Sequence, residues 1–196
     1  MAIFRKLQKP DVTKNPLVLA MGSISNVQWN LKKGNHNMPC TVNKLFEEFI
    51  PYHYQSLLLR AIQESDMEYM NDMFDMPLNE NTLRLFAMNV ANAYRKQKTL
   101  EIAVENSEHE FVGIVDIYDI HDSICEIGYR MCKKQRNKGY AKKAVEAVLT
   151  LLKGHGMTCV RARSEIENIA SECVLKANGF VSEKEKDNIR YWEVQL

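Results

Sequence analysis

From Cys125 to Leu152 the chain reads CEIGYRMCKKQRNKGYAKKAVEAVLTLL, and the fold is decided here. The stretch divides into a strand, a short basic loop holding one glycine, and a helix. Ala141, Ala144, Val145, Val148, Leu149 and Leu152 recur at helical spacing, so this helix buries one face. Lys133, Lys134, Arg136, Lys138, Lys142 and Lys143 crowd the loop and the first turn, and no acid interrupts them. A helix N-terminus already presents unpaired amides and a partial positive charge. Cations gathered there are costly without an anion, so the loop is suited to a phosphate-bearing ligand.

The totals bound the remaining possibilities. The chain has 196 residues, 45% of them apolar and 26% charged, which fits one globular domain with an extension. A formal net charge of +1 exerts no global pull on nucleic acid or an anionic membrane, so any electrostatic effect is local. Cys40, Cys125, Cys132, Cys159 and Cys173 are odd in number and form no C-x-x-C pair, which points to free thiols in a reducing cytoplasm. The histidines are scattered, and no metal site is expected. No run approaches the roughly 20 apolar residues of a membrane span. Leu17 to Met21, opened by Pro16, is also shorter than the about 7–15 residues of a signal-peptide core.

Residues 1–54 form an extension of different texture. Pro10, Pro16, Pro39 and Pro51 lie in it. Val27, Trp29 and Leu31 alternate as one hairpin strand, and Val42, Leu45, Phe46 and Phe49 fall at helical spacing before Pro51. From Gln55 to Leu196 the pattern becomes regular. Ser56 to Ile62 is predicted as a strand, and Ser65 with Glu68 as a capping box for a helix running toward Phe74. Asn79 caps a second helix, with Leu83, Phe86, Ala87, Val90 and Tyr94 on its buried face. Strands at Leu100 to Glu105 and Glu110 to Tyr118 flank a turn, and the second is apolar on both faces, hence interior. Ile124 to Met131 is the next strand. After the long helix come a strand at Thr158 to Glu165, a short helix opened by Asn168 and closed by Asn178-Gly179, and two strands at Phe180-Val181 and Ile189 to Val194. The order specifies a single-domain mixed α/β sheet flanked by helices.

The loop is neither a P-loop, which needs a second glycine and a Ser or Thr after the lysine, nor a G-x-G-x-x-G fingerprint. Alone, it is balanced between a phosphate cradle and a solvated basic turn. Its companions decide. Arg136-Asn137-Lys138-Gly139-Tyr140-Ala141 between strand and helix, followed by Asn168 and the ending Asn178-Gly179-Phe180, resembles the cofactor motifs of the GNAT acetyltransferases. Ile127-Gly128-Tyr129, Asn168 with Ser171, and Leu57-Leu58-Leu59-Arg60 are similar to the RimJ/RimL branch, whose best-known members acetylate N-termini of ribosomal proteins. The likeness covers Gln55 to Leu196, implies a mostly antiparallel sheet, and leaves the extension outside.

That resemblance implies acetyl-CoA as donor and no metal. The pantetheine arm would pair with main chain at Met131 and Cys132. The amides of Arg136, Asn137, Lys138, Gly139, Tyr140 and Ala141 would hold the pyrophosphate. Asn168 would hold the pantetheine or a water, a role compatible with capping its helix. Glu126 stands where many members carry the catalytic base, with Asp116 and Glu101 in reserve; its alternative is a structural glutamate. The tyrosine that many members use as acid is replaced here by Leu175, and Ser171 matches the serine of the RimJ/RimL branch. Cys132 lacks a neighbouring histidine and is read as packing. The partner is an amine, either a peptide N-terminus or a small molecule; homodimerisation stays open, and no membrane or nucleic acid is expected. Glu64, Asp66, Glu68, Asp72, Asp75 and Glu80 on the first two helices favour a cationic acceptor. Two other readings are an inactive CoA-binding module and a nucleic-acid patch, the latter lacking interleaved aromatics apart from Tyr140.

Overall fold

A computed structural model describes residues 51–73, 79–96 and 98–196. The strand and helix expected between Val27 and Phe49, the helix end at Phe74 and the inward side chains expected at Leu83, Phe86, Ala87, Val90 and Tyr94 lie outside the described residues and side chains.

The elements follow in the order β1 (Tyr52–Tyr54), β2 (Leu57–Ala61), α1 (Met67–Met73), α2 (Glu80–Arg95), β3 (Thr99–Asn106), β4 (Phe111–His121), β5 (Ile124–Met131), α3 (Tyr140–Gly154), β6 (Cys159–Glu165), α4 (Ile169–Ala177), β7 (Val181–Lys186) and β8 (Ile189–Gln195). One eight-stranded sheet runs β1-β2-β3-β4-β5-β6-β8-β7. Among the described residues only β5 and β6 pair in parallel, and α3 is the crossover such a pair requires. Tyr52–Tyr54 belongs to this sheet, and the Tyr54 hydroxyl donates to Glu146 on α3 at 3.0 Å, which ties this strand to the main core.

One face of the sheet carries the main core. Ala144, Val145, Ala147, Val148, Leu149 and Leu152 of α3 are buried against it, as the helical stripe predicts. Trp192 is fully buried here because Ser164 Oγ accepts its indole N–H at 2.9 Å. On the opposite face, Met73 of α1 packs with Ile62, Ala103, Phe111, Ile114 and Cys132. Phe111 to Val115 are all buried between β3 and β5, as an interior strand should be. Gly113 is required by close approach: a Cβ there would lie 2.3 Å from the Arg130 carbonyl oxygen.

Two local readings change. Asp66, not Ser65, organises the start of α1. Its carboxylate accepts the Gln63 amide at 2.8 Å and both terminal nitrogens of Arg60, at 2.7 and 2.9 Å. The short 3-10 turn Glu64–Asp66 therefore precedes α1, which begins at Met67. Strand β7 extends to Lys186, well past the predicted Val181, although every one of its residues is exposed. Its Ser-Glu-Lys-Glu-Lys run has no apolar alternation to betray it. Pairing with β8, the Arg190–Glu185 bridge and Lys184 over the Tyr191 ring hold it in place.

The feature that positions the site is a parting of strands. Strands β5 and β6 pair only from Ile124↔Cys159 to Ile127↔Ala162. Beyond that, Gly128–Met131 and Arg163–Glu165 continue without pairing to one another, leaving a gap in the sheet that points at the basic loop.

Candidate functional site

The loop follows β5 directly. Residues Lys133–Gln135 make a 3-10 turn, closed by the Gln135 amide on the Cys132 carbonyl at 2.9 Å and the Arg136 amide on that of Lys133 at 3.3 Å. The next amide to find an internal acceptor is that of Lys143, on the Gly139 carbonyl at 3.2 Å. Among the described residues, the amides from Asn137 to Lys142 therefore have none, and no side chain caps α3. Asn137 (φ 61°) and Gly139 (φ 81°) are both left-handed, which turns this run of N–H groups along the helix start. A Cβ at Gly139 would meet nothing within 4 Å, so the approach to these amides is open. Replacing Gly139 by valine puts a β-branched side chain at positive φ over that opening. It is expected to raise KM for an acyl-CoA donor about tenfold or more, measured by thiol-release kinetics.

Arg136 does not join this cradle. Its amide is engaged, and its side chain donates to the Met131 carbonyl at 3.2 Å and the Met73 carbonyl at 3.4 Å. The open run of amides is thus shifted one residue downstream of the predicted span, leaving Asn137, Lys138, Gly139, Tyr140 and Ala141 in it. Lys138 leans on Gln135 Oε1 at 2.9 Å, and Tyr140 Oη accepts from Asn106 at 3.4 Å.

Main-chain direction along β5 can be read from one bond. The Cys132 amide donates to the Val112 carbonyl at 3.0 Å, on the β4 side. Hydrogen-bonding direction alternates along a strand, so the amides of Met131 and Tyr129 face the other edge, toward the gap. The Met131 amide is therefore turned toward the gap. Cys132 is not: its amide faces β4, its carbonyl receives Gln135, and its thiol is buried, with burial pushing it up to about 11. It packs; it is not poised as a nucleophile.

Two candidate catalytic groups flank the gap on opposite faces. Glu126 is buried on the α1 face, directly opposite Tyr118 in the β4–β5 register. Tyr118 donates to Glu126 Oε1 at 2.8 Å, and Arg163 Nε contacts the same oxygen. Among the described residues Oε2 takes no hydrogen bond. One oxygen is anchored, and the other is not. Ser171 stands on the α3–α4 face in the first turn of α4. Asn168 Oδ1 accepts its amide at 3.0 Å, which makes Asn168 the helix cap. Tyr129 Oη lies 2.8 Å from Ser171 Oγ. Leu175 is fully buried in the core.

Sequence reasoning did not single out Tyr118 or Arg163, and it gave Tyr129 no role. Tyr118 could have been found from strand register; Arg163 could not, because it depends on which strands pair in parallel.

The reserve carboxylates form a pair of their own. Glu101 and Asp116 are opposite in the β3–β4 register, and Asp116 in turn faces Gly128 at the gap. Glu101 Oε2 and Asp116 Oδ1 are buried without a hydrogen-bond partner among the described residues. Burial, joined for Glu101 by the Asp116 charge, raises both above the ordinary carboxylate range, Glu101 to about 8. The folded protein therefore binds protons here more tightly than the unfolded chain. Their contribution to stability is full below the ordinary carboxylate range and is lost as pH rises toward about 8. Glu101→Gln is expected to flatten that decline, gaining on the order of 2 kcal/mol relative to wild type between acidic and mildly alkaline pH; denaturant titrations across pH measure it.

The acidic bias of the first two helices is smaller than composition suggests. Asp66 is consumed by Arg60, Glu80 pairs with Arg84 at 3.3 Å, and Asp72 accepts the Lys134 amide at 3.2 Å. The Glu64 side chain and Asp75 lie outside what is described. A groove of about 520 Å³ is lined by Glu68, Asp72, His109, Glu110 and Cys132, among others. It lies at the loop end of β5, some six residues or about 20 Å along the strand from Glu126, so it is separate from that carboxylate. No group of three or more His, Cys, Asp or Glu side chains suited to a metal occurs among the described residues. No described helix is long and apolar enough to cross a membrane.

Comparison with known proteins agrees with this geometry. The family model described as an acetyltransferase (GNAT) domain matches residues 45–181. No curated protein matches the sequence. Among solved structures, a GNAT-family acetyltransferase from Bacillus anthracis superposes with a TM-score of 0.62 at 22% identity, covering 74% of this chain and 98% of that one. The spermidine N-acetyltransferase of Vibrio cholerae, in complex with CoA and spermine, gives 0.63 at 14% identity, over 72% and 96%. RimJ of Mycobacterium smegmatis, with CoA-disulfide, gives 0.59 at 18% identity, over 71% and 81%.

Proposed function

Because the chain belongs to the GNAT acetyltransferase family, we propose that it transfers an acetyl group from acetyl-CoA to a primary amine by direct attack, in the manner of the RimJ/RimL branch. The observation that carries this reading is the open run of amides from Asn137 to Lys142, set at the mouth of the gap between β5 and β6. Those amides and the lysines around them suit a pyrophosphate, and the Tyr129 and Met131 amides suit an extended arm lying in the gap. Acetyl-CoA supplies the activated acetyl thioester.

The remaining chemistry falls to side chains. The acceptor must lose a proton, because an ammonium has no lone pair. Glu126 Oε2 takes it, while Tyr118 and Arg163 fix the carboxylate by its other oxygen. As the C–N bond forms and the C–S bond breaks, the Ser171 hydroxyl donates a hydrogen bond to the departing sulfur, since Leu175, where a tyrosine would stand, has no hydroxyl to offer. Glu126 and Ser171 thus divide base and acid work across the two faces of the sheet. The acceptor is a peptide N-terminus or a small amine, and the four described cysteines, all free, suit a reducing cytoplasm.

The test is a thiol-release screen with acetyl-CoA across N-terminal peptides, amino acids, polyamines and aminoglycosides. Turnover with at least one amine is expected. Acetyl-CoA binding without thiol release for any acceptor would instead establish a CoA-binding module that has lost catalysis, the second reading that Leu175 favours.

A further inference from the structure

Tyr129 lies in the strand beside the gap, and the proposed chemistry uses its amide but leaves its side chain without a task. Its neighbour Gly128 faces the Glu126 side of the sheet, so Tyr129 points to the other, toward α4. There its hydroxyl meets Ser171 twice: it is 2.8 Å from Oγ and donates toward the Ser171 carbonyl at 3.2 Å. The Ser171 amide is already held by Asn168 at 3.0 Å. All three polar groups of one serine are thus engaged by two side chains, one from each side of the parted strands.

A phenol has one proton, so two arrangements compete. If Ser171 donates to Tyr129 and Tyr129 to the carbonyl, the loop is closed and no proton points outward. If Tyr129 donates to Oγ, with the carbonyl as a weaker shared acceptor, the serine proton is left over and must point away from Tyr129. The 2.8 Å contact fits either direction, but the Ser171 carbonyl lies 3.2 Å away, long for an O–H···O bond, and as a carbonyl inside α4 it also serves the helix ladder, which leaves Oγ as the better acceptor for the Tyr129 proton. Burial also pushes the phenol up to about 12, so it remains a donor throughout the working range.

We propose that Tyr129 is a positioning residue, whose hydroxyl donates to Ser171 Oγ and thereby aims the serine proton at the departing sulfur. The inference rests on the reading of Ser171 as hydrogen-bond donor, and the experiment separates the two. Tyr129→Phe keeps the ring and removes the donor. It is expected to lower kcat about tenfold, the weight of one neutral hydrogen bond, with KM for acetyl-CoA within about twofold of wild type. Made on a Ser171→Ala background, it is expected to have no further effect. If Ser171→Ala keeps wild-type turnover, the reading of Ser171 fails, and this inference with it. If Ser171→Ala is impaired and Tyr129→Phe is not, only this inference is overturned. Additive losses in the double variant, or a rise in KM with unchanged kcat, also overturn it, since Tyr129 would then act through packing. Should Tyr129→Phe fold poorly, a fluorinated tyrosine at 129 preserves shape while making the phenol more acidic. With enough fluorines to bring ionisation into the assay range, kcat must fall at alkaline pH where wild type holds steady; an unchanged pH profile refutes the assignment.

Discussion

Glu126→Gln is expected to lower kcat/KM about a hundredfold for a lysine-like acceptor and much less for an α-amine. The asymmetry follows from the amines. Near pH 7 roughly a tenth of an α-amine with pKa 7.7–8.0 is already neutral, whereas a lysine amine near 10.4 is neutral in fewer than about one molecule per thousand. A positioned base contributes about 10²–10⁴-fold where deprotonation limits the rate. Glutamine keeps the shape and still accepts from Tyr118 and Arg163 through its carbonyl oxygen. It places an amide N–H₂, a donor, where Oε2 stood open. The measurement is kcat/KM against pH for two acceptors differing in amine pKa. A Gln variant whose loss is the same for both, or that loses nothing, would transfer the base role elsewhere, with the Glu101–Asp116 pair next to be tested.

Arg60→Met is expected to remove about 3–5 kcal/mol of stability and to lower the melting temperature by about 10 °C or more. Arg60 is half-buried between Asp66, which it grips with two nitrogens, and Glu105, whose Oε2 it meets at 2.8 Å. Desolvation alone would push Glu105 up, yet Arg60 and His109 together hold it below its ordinary value. Without the guanidinium, two buried carboxylates lose their shared cation, leaving Asp66 the Gln63 amide and Glu105 His109 Nδ1, each at 2.8 Å. The Arg161–Glu193 pair offers a control: with Arg161 more than half exposed, its removal should cost less than about 1 kcal/mol. Equal effects of the two substitutions would mean that the Arg60 cluster is not the fastening for α1 described above.

What was legible in the sequence is what local chemistry dictates. The α3 stripe, the Asn79 and Asn168 caps and the left-handed Gly179 each follow from a few neighbouring residues, and each occurs where the sequence places it. The candidate site was legible as far as its main chain. Its side-chain partnerships were not, because Tyr118 meets Glu126 through antiparallel register and Arg163 meets it through the single parallel pairing. Arg136 shows the same limit from the other side. Its charge suggested a phosphate contact, but carbonyls at the ends of β5 and α1 claimed it. The extent of strand β7 past Val181 was missed for want of apolar residues, since its order comes from the neighbour it pairs with.

That use of Arg136 has a mechanical consequence. With Lys134 bonded to Asp72 and Arg136 to Met73, the basic loop is pinned to the end of α1 at two successive residues of that helix. Helix and loop form one lever rather than two parts. Anything that displaces the end of α1 strains the cradle, and a ligand that stiffens the cradle stiffens α1 in return, by the same free energy in both directions.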